Sequence, residues 1–167
     1  MASRGLTVDE IMAILRTSVS RLDELIDGVP EQRLYAVTDQ GWSVNDQLAH
    51  LRACHDVLGG NMLRIVREDH PAWKGMSPRA WQKQTDYFEW AFAPALEAFR
   101  AQRADLLGVL EPLPPEAWER TAAVSVPPRS LYEYSTQYYG DWMAGHERAH
   151  LKHIARILDA LDAERTA

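Results

Sequence analysis

Residues 130–161 read SLYEYSTQYYGDWMAGHERAHLKHIARILDAL, and the reading of the fold turns on them. Leu131, Tyr134, Tyr138, Trp142, Ile154, Ile157, Leu158 and Leu161 recur at the three- and four-residue spacing of a helix face. Ser130 followed by Glu133 has the form of a capping box, so a helix is expected from Ser130 into the C-terminal tail. Within it His150 lies about 40° around the helix from His146, and His153 about 20° on the other side, so the three imidazoles share one narrow face. Trp142 and Tyr139 fall within about 40° of His146 on the same stripe, which makes it partly aromatic and directs it inward.

Three earlier segments carry the same periodicity. The first starts at Thr7, with Glu10 completing a capping box, and runs to Gly28-Val29-Pro30. Another opens at Ser43, with Asp46 in place of the usual Glu or Gln, and continues to His70-Pro71. The third opens at Ser77-Pro78 and extends to Leu110; Pro94 should kink it or break it just before that point. Three connections, Val29 to Trp42, His70 to Ser77 and the proline-rich Glu111 to Arg129, join amphipathic segments without any strand alternation. The expected architecture is all-α: one domain over residues 1–167, a bundle of four helices with long crossover connections, and neither a parallel sheet nor a repeat array.

Composition narrows the function. Eighteen Lys plus Arg against 24 Asp plus Glu leave a net charge of −6 on 167 residues, with no basic cluster, so nucleic acid and anionic membranes are not expected partners. No window is apolar enough to span a bilayer, and MASRGLTVDEIMAIL lacks the apolar core of a secretion signal. With a single cysteine, Cys54, no intramolecular disulfide can form, and a reducing cytoplasm is the expected compartment. A chain of this size buries about 68–70% of its unfolded surface, so it needs no structural metal to fold.

The histidine face is therefore the feature that needs explaining. Unpartnered polar groups cost about 1–3 kcal/mol each when buried, and a divalent metal offers several imidazoles one common partner. Residues four apart hold their Cβ atoms about 5–6 Å from each other, so His146 and His150 can chelate one ion. A catalytic zinc or nickel centre usually takes a third protein ligand, and His50, between Leu48 and Leu51, is the best placed on another helix. His55 lies about 140° around that helix and His70 precedes a proline, so neither is preferred. A lone histidine pair four apart is commonplace, however, and by itself reads as core or solvated histidine. Cys54 reads as small buried filler ahead of a soft ligand, and Asp46 as a helix cap ahead of a group orienting an imidazole. No Gly-rich phosphate loop, Gly-x-Ser-x-Gly elbow, zinc cysteine pair or His-Glu-x-x-His is present.

GWSVNDQLAHL at residues 41–51, followed by HERAHLKHI at 146–154, resembles the DinB-like superfamily, whose signature is a Trp-Ser/Thr-Val helix start leading to a histidine and a late helix with two histidines four apart. The resemblance spans nearly the whole chain in element order. It implies a bundle with an up-up-down-down style of connection and a divalent metal, often zinc or nickel, held by His50, His146 and His150. It also implies a small-molecule substrate, and often a homodimer. Similar proteins include metal-dependent hydrolases and transferases or isomerases that use a low-molecular-weight thiol; for the latter, Arg52, Arg129 or Arg148 could receive an anionic thiol. The competing expectation is a non-catalytic bundle that binds or sequesters a hydrophobic small molecule among its Trp and Tyr side chains.

Overall fold

The computed structural model describes residues 5–39, 41–128 and 130–166; Arg129 lies outside them. In chain order the elements are α1 (Val8–Ile26), the single turn α2 (Glu31–Leu34), α3 (Val44–Cys54), a π-helical turn (His55–Gly59), α4 (Gly60–Arg67), β1 (Ala72–Lys74), α5 (Pro78–Gln82), a 3-10 turn (Tyr87–Glu89), α6 (Phe92–Leu110), α7 (Pro115–Glu119), β2 (Thr121–Val126), β3 (Ser130–Ser135) and α8 (Thr136–Thr166). The π turn joins α3 to α4 without interruption, so the bundle is built from α1, α3–α4, α6 and α8.

Both early capping boxes form. Thr7 Oγ1 accepts from the Glu10 amide while Glu10 accepts from the Thr7 amide, and Ser43 and Asp46 do the same at the start of α3. Pro94 stands in the first turn of α6, where its missing N–H is not needed, and the chain breaks ahead of it at Trp90-Ala91. The expected helix start at Ser130 is overturned. Ser130–Ser135 form the edge strand of a mixed sheet, β1 parallel to β2 and β2 antiparallel to β3, with Val126 paired to Ser130 and Thr121 to Ser135. Tyr132 and Tyr134 favour extended backbone, and a partner strand seals the choice. The Tyr134 ring lies 5.5 Å from Tyr132 and 4.2 Å from Tyr138, both stacked. The true start of α8 is marked by Ser135, whose Oγ accepts from the Tyr138 amide.

Two apolar clusters fill the bundle. One gathers Ile11, Leu15, Leu58, Met62, Leu106 and Met143; the other gathers Leu22, Leu48, Leu51, Phe99, Leu151 and Ile154. α1 and α8 run from the first cluster to the second, whereas α3–α4 and α6 run from the second to the first. The direction is therefore up, down, down, up, not the expected up-up-down-down. Only the connection from α4 to α6 joins helices of the same direction, because the stretch carrying β2 and β3 reverses the chain. α1 and α8 approach closely at Gly140, where a Cβ would meet Ile11 Cγ2 at 3.1 Å and a Trp118 ring carbon at 3.2 Å.

Between the clusters each bundle helix contributes polar side chains at one level: Ser18 from α1, Gln47 and His50 from α3, Arg103 from α6, Glu147 from α8. Arg103 and Glu147 are each 3% exposed and form a two-pronged ion pair at 2.5 and 3.0 Å. Arg103 also donates to Ser18 Oγ at 2.6 Å and to the Leu15 carbonyl at 2.8 Å. Removing one partner strands a buried charge. Glu147→Leu or Arg103→Met alone should lower unfolding free energy by about 3–5 kcal/mol in urea melts, and the double variant should recover most of that loss.

Candidate metal centre

His50 stands on the buried face of α3, His146 and His150 one turn apart on α8. The helices bring one nitrogen of each ring to a common point: the three ligand atoms lie within 4.8 Å of one another. His146 Nε2 is 3.1 Å from His50 Nε2 and 3.0 Å from His150 Nε2. His50 is 3% exposed, and the other two are half-buried, so the cluster opens on the α8 side.

The opposite nitrogens of two rings are held by glutamines. His50 Nδ1 lies 2.9 Å from Gln82 Oε1 on α5, and His150 Nδ1 lies 2.5 Å from Gln47 Oε1 on α3. A carbonyl oxygen only accepts, so both rings donate from Nδ1 and present bare Nε2 lone pairs to the centre. His146 can then satisfy at most one of its two Nε2 contacts as a hydrogen bond, and at least one pair of lone pairs faces without a proton between them. A cation bound by all three resolves that conflict. Octahedral or tetrahedral ions with bonds of about 2.0–2.1 Å hold neighbouring donors roughly 2.8–3.4 Å apart, a range that takes in both contacts of His146, so the residues present fit a divalent metal.

The electrostatics favour the ligating form. Burial lowers the pKa of His50, His146 and His150, in the last case to about 3; neighbouring imidazoles and Arg79 lower His146 and His150 further, and Arg79 opposes the proton on His50. Cys54, one turn past His50, places Sγ 3.5 Å from His50 Nε2, outside the three-histidine group. Burial, and then the charge of Glu147, pushes its thiol up to about 12, so it is a neutral S–H donor packed among apolar neighbours.

The other expectations separate cleanly. Asp46 Oδ2 accepts from the amide and hydroxyl of Ser43 and is a cap. His70 is exposed and pairs with Glu133, while His55 is buried with Nε2 unpartnered. His153 is more than a solvated histidine: its Nδ1 takes a hydrogen bond from Gln47 Nε2 at 3.0 Å, so it steadies the amide that orients His150. Arg52 is sandwiched between Tyr87 and Trp90, and Arg148 lines a separate cleft between α1 and α8. Gln47, Gln82 and Arg79 escaped the sequence reading. Gln47 had a signal, since it lies one turn before His50 on a face otherwise apolar; Gln82 and Arg79, on a five-residue helix, had none.

The DinB superfamily model matches residues 14–154. The chain belongs to the DinB superfamily. Among solved structures, it is similar to YfiT from Bacillus subtilis, described as a probable metal-dependent hydrolase with an unusual four-helix bundle topology, at a TM-score of 0.73 and 16% identity over 97% of this chain and 93% of that one. No curated protein matches it. This DinB member has no helix, among the described residues, long and apolar enough to cross a membrane.

Two outcomes follow from the centre. Gln47→Leu and Gln82→Leu should each weaken divalent-metal binding about 10–100-fold in competition with a chromophoric chelator while leaving the helical circular dichroism unchanged. Metal-free protein should also lose stability in acid. His55 and His150 take up a proton in the unfolded chain near 6.5 but in the fold only near 3, so unfolding absorbs protons between those values and stability falls as pH drops through them. Urea midpoints at about pH 7, 5.5 and 4.5 read this slope, which His55→Gln should flatten.

Proposed function

We propose that this protein is a metal-dependent enzyme acting on a small molecule, a hydrolase or a low-molecular-weight-thiol transferase, with a zinc or nickel ion held by His50, His146 and His150. The observation that carries the reading is the convergence of three histidines on one point, two of whose rings, His50 and His150, are fixed from behind by Gln82 and Gln47. Side chains held this way are arranged in advance for one cation, which a stability role does not require, because the flanking apolar clusters hold the bundle. When bound, a divalent ion supplies Lewis acidity at an open coordination position and lowers the pKa of a water or thiol there.

The protein's own groups define the rest of the site. His50 is covered by the edge of Trp42, whose ring centroid lies 5.3 Å away, and Phe88 packs against Trp42 at 6.2 Å. These rings line the α3 side of the centre, and on the half-buried α8 side Trp142 stands one turn before His146 and is 40% exposed. Glu147 is the anion beside the cluster, but its carboxylate is committed to Arg103, so it is not free to take a proton from substrate. Activation therefore rests on the ion and not on a neighbouring general base, which suits chemistry whose nucleophile ionises near neutral pH once coordinated. We assign the protein to the cytoplasm as the compartment where such thiols are reduced.

Elemental analysis of purified wild type beside His50→Ala, His146→Ala and His150→Ala tests the reading. Wild type should carry close to one equivalent of metal, each variant a small fraction of that, and His153→Ala nearly the full amount. Loss of metal in His153→Ala alone would refute the ligand assignment. Stoichiometric metal without turnover on a panel of esters, amides and thiol–electrophile pairs would point to a binding protein instead.

A further inference from the structure

We propose that Arg79 is the substrate-anion receptor of this centre, and that the substrate or co-substrate carries a carboxylate beside the atom that meets the metal. The inference rests on the metal reading above and adds to it the chemical class of the ligand.

The argument begins with α5. This short helix supplies Gln82, which fixes His50 from behind, and Arg79 lies three residues earlier, hence on the neighbouring part of the same face. The Arg79 guanidinium stands over the Trp42 ring, 5.4 Å from its centroid, and Trp42 in turn packs on His50. The guanidinium thus lies over the indole, and the indole meets His50 edge-on, which places the cation on the wall of the centre.

Arg79 is also uncommitted. Among the described residues its guanidinium has no ion pair and no hydrogen bond; stacking on Trp42 holds it while its N–H groups stay available. The other arginines near the site are spent differently: Arg52 is 4% exposed between two aromatic rings, and Arg103 is locked on Glu147. Arg79 is exposed, so its N–H groups are open to an arriving ligand. It repels any metal ion slightly, a cost that makes sense where an arriving anion restores the balance. The planar fork of a guanidinium matches a carboxylate in two parallel hydrogen bonds, which makes a carboxylate the anion it suits.

Cobalt(II)-loaded protein provides a test that does not depend on knowing the reaction. Thiolate binding to the cobalt gives a near-ultraviolet charge-transfer band, which can be titrated with 3-mercaptopropionate, carrying the carboxylate, and with 2-mercaptoethanol, lacking it. Wild type should bind the anionic thiol about fivefold or more tightly than the neutral one, a preference that shrinks between about 0.02 and about 0.5 M salt. Arg79→Met should bind cobalt with unchanged visible bands and bind 2-mercaptoethanol as wild type does, yet lose the preference; Arg79→Lys should keep part of it. A merely structural role for Arg79 would shift both thiols together. Equal binding of the two thiols by wild type, a preference surviving in Arg79→Met, or bound cobalt that takes neither thiol would each overturn the assignment. Absence of cobalt bands in wild type would instead sink the metal reading, and this proposal with it.

Discussion

The fork of Arg103 on Glu147 decides how α8 is turned. Glu147 follows His146 directly, so their side chains leave the helix about 100° apart. With the carboxylate held at 2.5 and 3.0 Å by a guanidinium from α6, His146 and His150 have one direction left, toward α3 and His50. An apolar residue at 147 would leave α8 free to settle at any rotation that buried enough surface. The ion pair is poor value as stability, since desolvating two charges offsets most of their attraction. Its contribution is register: it fixes the angle at which the histidine face meets its partner.

The polar level between the two clusters works in the same way for each member. Gln47 is fully buried and uses both ends of its amide, Oε1 for His150 and Nε2 for His153. Arg103 places Nη1 on three acceptors. Asp56, in the π turn, accepts from Trp81, Tyr87 and Gln102, tying α5 and α6 to the helix that carries His50. α5 thus has two anchors, Trp81 on Asp56 and Gln82 on His50. Groups so densely bonded leave few alternative arrangements, whereas either apolar cluster could repack with modest loss.

What the sequence made legible follows from range. The caps at Thr7 and Ser43 are local chemistry, decided within four residues, and the structure keeps both. The shared face of His146 and His150 is likewise a property of one helix. Ser130-x-x-Glu133 carried the same local signal, yet there a neighbouring strand outweighed it, because six residue pairs of β2 and β3 form a ladder that no single cap can offset. Gln82 and Arg79 were illegible for a related reason: their meaning lies in a fold that brings α5 against α3, across a stretch of chain whose own pattern says only that a helix starts after Ser77.

The choice of glutamines over carboxylates behind the imidazoles has a consequence for chemistry. An aspartate or glutamate there would transfer negative charge through the ring and quieten the ion, besides raising the affinity of the ring for a proton. Neutral amides do neither. Three imidazoles leave the charge of a divalent ion whole, and the neighbouring Glu147 is cancelled by Arg103. The compensating negative charge then has to arrive from outside, in the fourth ligand or in the group that Arg79 receives. A centre built this way is weak at holding a proton, and what balances the charge of a divalent ion held there comes with the molecule that binds it.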